Sequence, residues 1–298
     1  MNILYITHAL NGLLMIGIPI GLGIYLTRRF QLNWRLWWIG GATFILSQVG
    51  HLPFNSLLNN LFLKGILPIP PEAYRLVVFS IIGGLSAGLW EEFARYFVYR
   101  WWIRDARRWK QGVLFGAGHG SMEAIILGVL VFYTYLQMAA LKNADLATVI
   151  SPDQLDAVQK GLQQYWSVSW PLSLLGAVER AFSIPFHIAC AVLVLQVFTR
   201  KQTRWLWIAI AWHAFSDAAI SGYAAQKLSA YSWGAYAIEG LVGLTLLINI
   251  PVILALRDRD QPSEGIEAPP PSSPAEIMLP PPDIEETPEN LDKTRYLS

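Results

Sequence analysis

Glu91, Glu92 and Arg95 sit in the run Trp90-Glu91-Glu92-Phe93-Ala94-Arg95, inside an otherwise apolar stretch from about 74 to 102. Other apolar stretches are interrupted by His119 and Glu123, by Glu179 and His187, and by His213 and Asp217. A charge at bilayer depth costs roughly 2.5–3.5 kcal/mol on insertion scales, so these residues need partners and usually a task. Arg95 is i+4 from Glu91 and i+3 from Glu92, so it can lie beside either carboxylate on one helical face. One division has Arg95 neutralise one glutamate and leaves the other free as a base. His119 with Glu123, and His213 with Asp217, are i,i+4 pairs in which the carboxylate could orient the imidazole and fix its tautomer. The chemistry these groups suit is hydrolysis. A carboxylate and a histidine can hold and deprotonate a water, and a second histidine can stabilise an oxyanion. Three histidines and a glutamate (His119, His187, His213 and Glu123) could equally bind zinc. Neither HExxH nor HxxEH is present.

Membrane helices must position these groups. The chain is 298 residues long, 54% hydrophobic and only 14% charged, where a soluble domain carries about 25% charged residues. The apolar residues fall in blocks of about 20 or more, so the expected fold is all-α, a polytopic membrane helix bundle. Seven spans are expected, at about 3–26, 35–58, 74–102, 111–139, 170–199, 204–224 and 231–256. The first, closed by Thr27-Arg28-Arg29, reads as a retained helix and not a cleaved signal. Lys and Arg concentrate on one set of flanks, from Arg28 and Arg29 through Arg100, Arg104, Lys110, Arg200 and Arg204 to Arg257. The opposite flanks hold Lys64, Arg75, Lys142, Lys160 and Lys227. That asymmetry puts the N-terminus outside and the C-terminus in the cytoplasm. With the basic flanks as a ruler, Glu91 and Glu92 lie about 12–14 Å from Arg100, His119 about 13 Å from Lys110, and His213 about 13 Å from Arg204. Three helices thus bring Glu, His and His to one level in the cytoplasmic half of the bilayer. His187, on a fourth helix, lies about 20 Å from Arg200.

The remaining segments are less specific. Residues 1–258 are expected to form the membrane domain, with the chemistry concentrated in about 74–224. The tail over 259–298 is Pro-rich and acidic, expected to be disordered and able to bind a cytoplasmic partner. Ser151-Pro152-Asp153-Gln154 marks a helix start, and Leu155, Val158, Leu162 and Tyr165 follow at amphipathic spacing. That helix suits the outer membrane surface or a solvated loop equally well. Cys190, in an apolar run, reads as a small buried hydrophobe. Glu179-Arg180 reads as a local pair near the outer face, and His8, His51 and Glu239 as interfacial.

Glu91-Glu92 with Arg95, Phe115 to His119 with Glu123, His187, and His213 with Asp217 resemble, in this order, a superfamily of intramembrane proteases. It includes the CAAX prenyl endopeptidases and bacteriocin-processing proteases, the PrsW-type proteases and the YhfC-type membrane peptidases. The glycine-rich segment GAGHGSMEA over 116–124 and the EEFAR run over 91–95 bring the chain closest to the YhfC branch. The resemblance implies an intramembrane endopeptidase in a bacterial plasma membrane, acting on a peptide or membrane protein, with no nucleic-acid partner. It implies that Glu91 and His119 activate water and that His213 and Asp217 form the oxyanion side. The YhfC branch is labelled metalloprotease, whereas the CAAX-type members resemble metal-independent glutamate enzymes. The arginine spacing here is EExxR, not the EExxxR of the CAAX enzymes. Two readings from other classes remain. A transporter or proton relay would use the same Glu/His chain but would tend to show repeated topology. An inactive scaffold would depend on the tail.

Overall fold

A computed structural model describes residues 3–257 of the chain. The expected tail over 259–298 lies outside the described residues. Among these, all regular structure is helical and there is no strand. In chain order the helices are α1 (Ile3–Phe30), α2 (Arg35–Leu63), α3 (Glu72–Phe97), α4 (Trp109–Lys142), the short α5 (Leu146–Val149), and α6 (Pro152–Ser167). They continue with α7 (Leu175–Thr199), α8 (Arg204–Ser216), α9 (Ala225–Leu228), α10 (Gly234–Leu244) and α11 (Leu246–Ala255).

Five helical rods are long and apolar enough to cross a membrane: Ile3–Phe30, Glu72–Trp102, Trp109–Lys142, Leu172–Thr199 and Gly234–Ala255. The chain is an integral, multi-pass membrane protein. The sequence also marks α2 and the run beginning at α8 as spans. Polar residues set these two apart. α2 carries Gln48, His51 and Asn55, and the α8 run carries His213, Asp217 and Lys227. Several of these side chains face the site described below. Elsewhere the bundle presents large apolar side chains outward, including Leu46, Leu130 and Leu247, the surface that lipid requires.

α4 packs against α1, α2 and α7, while α3 packs against α8 and α2. These contacts depend on small residues. A Cβ on Gly118 would lie 2.0 Å from the Trp37 carbonyl oxygen, and one on Gly84 would lie 2.3 Å from the Ala214 carbonyl oxygen. Backbone therefore meets backbone where α4 crosses α2 and where α3 crosses α8. The apolar core gathers at the end that carries the basic flanks. Trp37, Tyr99, Leu114, Phe115, Val192, Leu195 and Ile210 are all buried there. Trp109 Nε1 donates to the Ile253 carbonyl at 2.7 Å, tying α4 to α11. At the same end, Arg35 donates to both Asp105 oxygens at 2.5 and 3.1 Å, which holds that exposed carboxyl below its ordinary range.

Two helices change to π geometry next to the ionisable residues. α3 does so at Val98–Trp102 and α8 at Asp217–Ala224. Such turns widen a helix locally and recur at functional sites. The helix expected after Ser151 is α6. It docks on the bundle through Trp166 Nε1, which donates to the Met138 carbonyl at 3.3 Å, and through Tyr165 stacked on His8 at 4.1 Å.

Replacing Gly118 by Ala should destabilise the bundle by about 1–3 kcal/mol, because the methyl group meets backbone that cannot rotate away. A Cβ added to Gly17 or Gly21 in α1 would meet nothing within 4 Å, so Gly17→Ala should leave the thermal midpoint unchanged or raise it. Thermal unfolding in detergent measures both.

Candidate active site

Four helices deliver one cluster. α3 turns Glu91, Glu92 and Arg95 inward, α4 supplies His119, α7 supplies His187 and α8 supplies His213. All six are buried, with relative exposures of 6% or less. The Arg95 guanidinium is at the centre. Nη1 pairs with Glu92, and Nη2 donates to Glu91 Oε2 at 3.2 Å and to His187 Nδ1 at 2.9 Å. The division in which Arg95 serves one glutamate alone is therefore replaced by a shared arrangement. Both carboxylates lie within reach of its two nitrogens, because i+3 and i+4 fall on the same face.

The two glutamates are nevertheless different. Glu92 has no exposed surface, and its Oε1 receives both Arg95 and His213 Nδ1, the latter at 2.6 Å. Glu91 Oε2 points to where the imidazoles converge. His119 Nε2 is 3.0 Å away, and His187 Nδ1 and His213 Nε2 are each 3.9 Å away. Gln48 of α2 holds the other oxygen, its Nε2 lying 3.3 Å from Glu91 Oε1.

Partners fix the tautomer of His187. A guanidinium can only donate, so His187 Nδ1 must accept from Arg95. The His187 proton then sits on Nε2, which donates to Glu123 Oε2 at 2.7 Å. His213 Nδ1 faces a carboxylate and donates to Glu92 at 2.6 Å, while its Nε2 faces the carboxylates of Glu91 and Asp217. Each of these two imidazoles turns one nitrogen towards Glu91 and a protonated one towards a carboxylate behind it. The expected His119–Glu123 pair does not form. Glu123 is taken by His187 and by Arg180, whose Nη1 donates at 2.6 Å, while His119 turns to Glu91. Asp217 Oδ2 lies 3.6 Å from His213 Nε2 with a side chain 35% exposed, at the edge of the cluster.

Three neighbours belong to none of the sequence motifs. Gln48 belongs to no motif. Arg180 does pair with Glu179 as expected, but it also reaches across to Glu123 and through it to His187. Cys190 is buried as expected, yet its thiol is a neighbour of Glu92 and His213 and not of apolar groups alone. Arg180 had a legible signal, a second cation at membrane depth.

The donor set suits a metal ion. Ligand atoms of Glu91, His119 and His187 all lie within 4.8 Å of one another, and so do those of Glu92, Cys190 and His213. Imidazoles backed by carboxylates are the usual surroundings of a bound zinc.

The family model described as YhfC intramembrane metalloprotease matches residues 14–238, which contain every residue of the cluster. The chain belongs to the YhfC intramembrane metalloprotease family. It is 28% identical over 220 residues to the uncharacterized membrane protein YhfC of Bacillus subtilis (strain 168), covering 69% of this chain and 80% of that relative. No solved structure matches. For this YhfC-family chain the cluster is carried entirely by helices α3, α4, α7 and α8, so its geometry depends on the bundle and not on loops.

Removing the buried cation should be costly. Arg95→Met leaves two carboxylates buried without their cation and should destabilise by about 3–5 kcal/mol. Glu179→Gln, at a carboxylate 40% exposed, should cost less than about 1 kcal/mol. Thermal midpoints of the two purified variants against the parent measure the contrast.

Proposed function

We propose that this chain is a zinc-dependent intramembrane endopeptidase of a bacterial plasma membrane, with Glu91 as its general base. The observation that carries this reading is the convergence of three imidazole nitrogens, His119 Nε2, His187 Nδ1 and His213 Nε2, on Glu91 Oε2. His119 and His187 already lie with Glu91 within 4.8 Å of one another, and His213 would complete the set that holds the metal. A bound zinc ion supplies Lewis acidity, polarising a carbonyl and making a bound water acidic near neutral pH.

The protein's own groups do the rest. Glu91 Oε2 accepts the proton of the attacking water and returns it to the leaving amine. Arg95 and Gln48 keep that carboxylate in place. Glu92 holds His213, and Glu123 holds His187, each in the tautomer that leaves the inward nitrogen free. Arg180 anchors Glu123 in turn. Holding the ion through His119 Nε2 and His187 Nδ1 exchanges the contacts these nitrogens make with Glu91 and Arg95. Asp217, at the open edge, acts beside His213 on the substrate side. Glu92 is a poor candidate for the base, because Arg95 and His213 already share its Oε1. The substrate is a peptide bond within or near the membrane.

A metal-free glutamate hydrolase is the second reading, favoured by the guanidinium that already spans Glu91, Glu92 and His187. It keeps Glu91 and His119 as the water-activating pair. Metal analysis of purified protein separates the two. The zinc reading predicts about one zinc per chain, lost in His119→Ala and His213→Ala and retained in Glu91→Gln and Glu179→Gln. Parent protein without stoichiometric metal, in preparations supplied with zinc throughout, would leave the glutamate reading.

A further inference from the structure

Depth and access are separate properties of this site. A cavity of about 200 Å³ opens from Glu91 and His213 between α7, the π-helical turn after α8, and the junction of α10 and α11. Its far wall includes Glu179 and Arg180 of α7, Ile220 of the π turn and Val242 of α10. By helical rise Glu179 lies about 31 Å from Arg200, and Val242 about 22 Å from Arg257. The cavity therefore extends away from the basic flanks. Towards those flanks the way is closed. Residues 188–197 of α7 are all buried, and Tyr99, Phe115, Leu114 and Ile210 pack round them.

The cavity's chemistry is one-sided. Glu91, Glu123, Glu179 and Asp217 line it against one guanidinium, that of Arg180. Counting Glu92 and the Arg95 it shares with Glu91, and with neutral imidazoles, a bound dication, Arg95 and Arg180 together offset four of five carboxylates, and one stays unmatched. A second feature points to a ligand. Ser216 lines the same cavity, is 7% exposed, and its Oγ has no hydrogen-bond partner. A buried hydroxyl without a partner is destabilising, and the backbone of an incoming peptide would satisfy it.

We propose that substrate reaches the site from the end of the bundle remote from the basic flanks, the outer face of the membrane, and that the cleft selects a segment carrying a lysine or arginine side chain. The proposal rests on the protease reading for its substrate, but its geometry can be tested without proteolysis. Glu179 and Asp217, the most exposed of the four carboxylates, would meet the cation first. The Ser216 hydroxyl would then take a backbone group as the segment settles beside Glu91.

The test uses thiol labelling of the full chain in intact cells. The sequence has one cysteine, Cys190, which is fully buried and should stay unlabelled. Ser183→Cys and Val242→Cys place a thiol on the cavity wall, while Lys142→Cys and Arg104→Cys mark the two faces. Two membrane-impermeant methanethiosulfonates are applied, one bearing trimethylammonium and the other sulfonate. Ser183→Cys and Val242→Cys should label from the same side as Lys142→Cys. The cationic reagent should react at least ~10-fold faster than the anionic one, and Glu179→Gln should narrow that preference. Labelling only from the Arg104 side, no labelling of either folded variant, or equal rates for both reagents would overturn the proposal. Zinc content of the same variants is read separately. Normal zinc with labelling from the Arg104 side overturns the route alone, whereas outer labelling in a metal-free parent overturns the zinc reading alone.

Discussion

A guanidinium without exposed surface is the constraint round which this bundle is arranged. Arg95 cannot lose its proton and cannot reach water. It must find acceptors inside the protein, and it finds them on Glu91, Glu92 and His187. Those acceptors need further partners. Glu92 takes His213, His187 takes Glu123, and Glu123 takes Arg180. One buried charge thus organises side chains from α3, α4, α7 and α8. In low dielectric a polar network of this kind is specifying when complete and costly when broken.

The arrangement also divides the protein into a solid end and an open end. Backbone-to-backbone crossings at Gly118 and Gly84 let the helices meet closely, and the large aromatic and branched side chains fill the end beneath the cluster. Beyond the cluster, α8 passes into π geometry at Asp217, and carboxylates replace core side chains. The proposed hydrolytic chemistry needs both properties: rigid placement of its groups, and a polar path for water and substrate.

The helical membrane class, α6 and the gathering of Glu91, Glu92, His119 and His213 were legible in the residues. Lys and Arg at the helix ends calibrate depth, and depth at 1.5 Å per residue is independent of tertiary detail. Pairings between helices were not legible. Spacing can say that His119 and Glu123 share a face, but not that a nearer carboxylate on α3 takes the histidine while a histidine on α7 takes the glutamate. Gln48 and Cys190 are invisible for the same reason: their importance lies entirely in what crosses them. The distinction between Glu91 and Glu92 is likewise tertiary. It depends on which oxygen faces the imidazoles and which is consumed by Arg95 and His213.

Zinc ligation by the inward nitrogens of His119, His187 and His213 round Glu91 Oε2 is what the proposed chemistry requires. X-ray absorption at the zinc edge of the purified, zinc-loaded full chain tests it most directly. Three-histidine ligation gives a shell of nitrogen and oxygen at about 2.0–2.1 Å, with multiple scattering from three imidazoles and no sulfur. A sulfur scatterer at about 2.3 Å would place the ion on Glu92, Cys190 and His213 instead, and would contradict it.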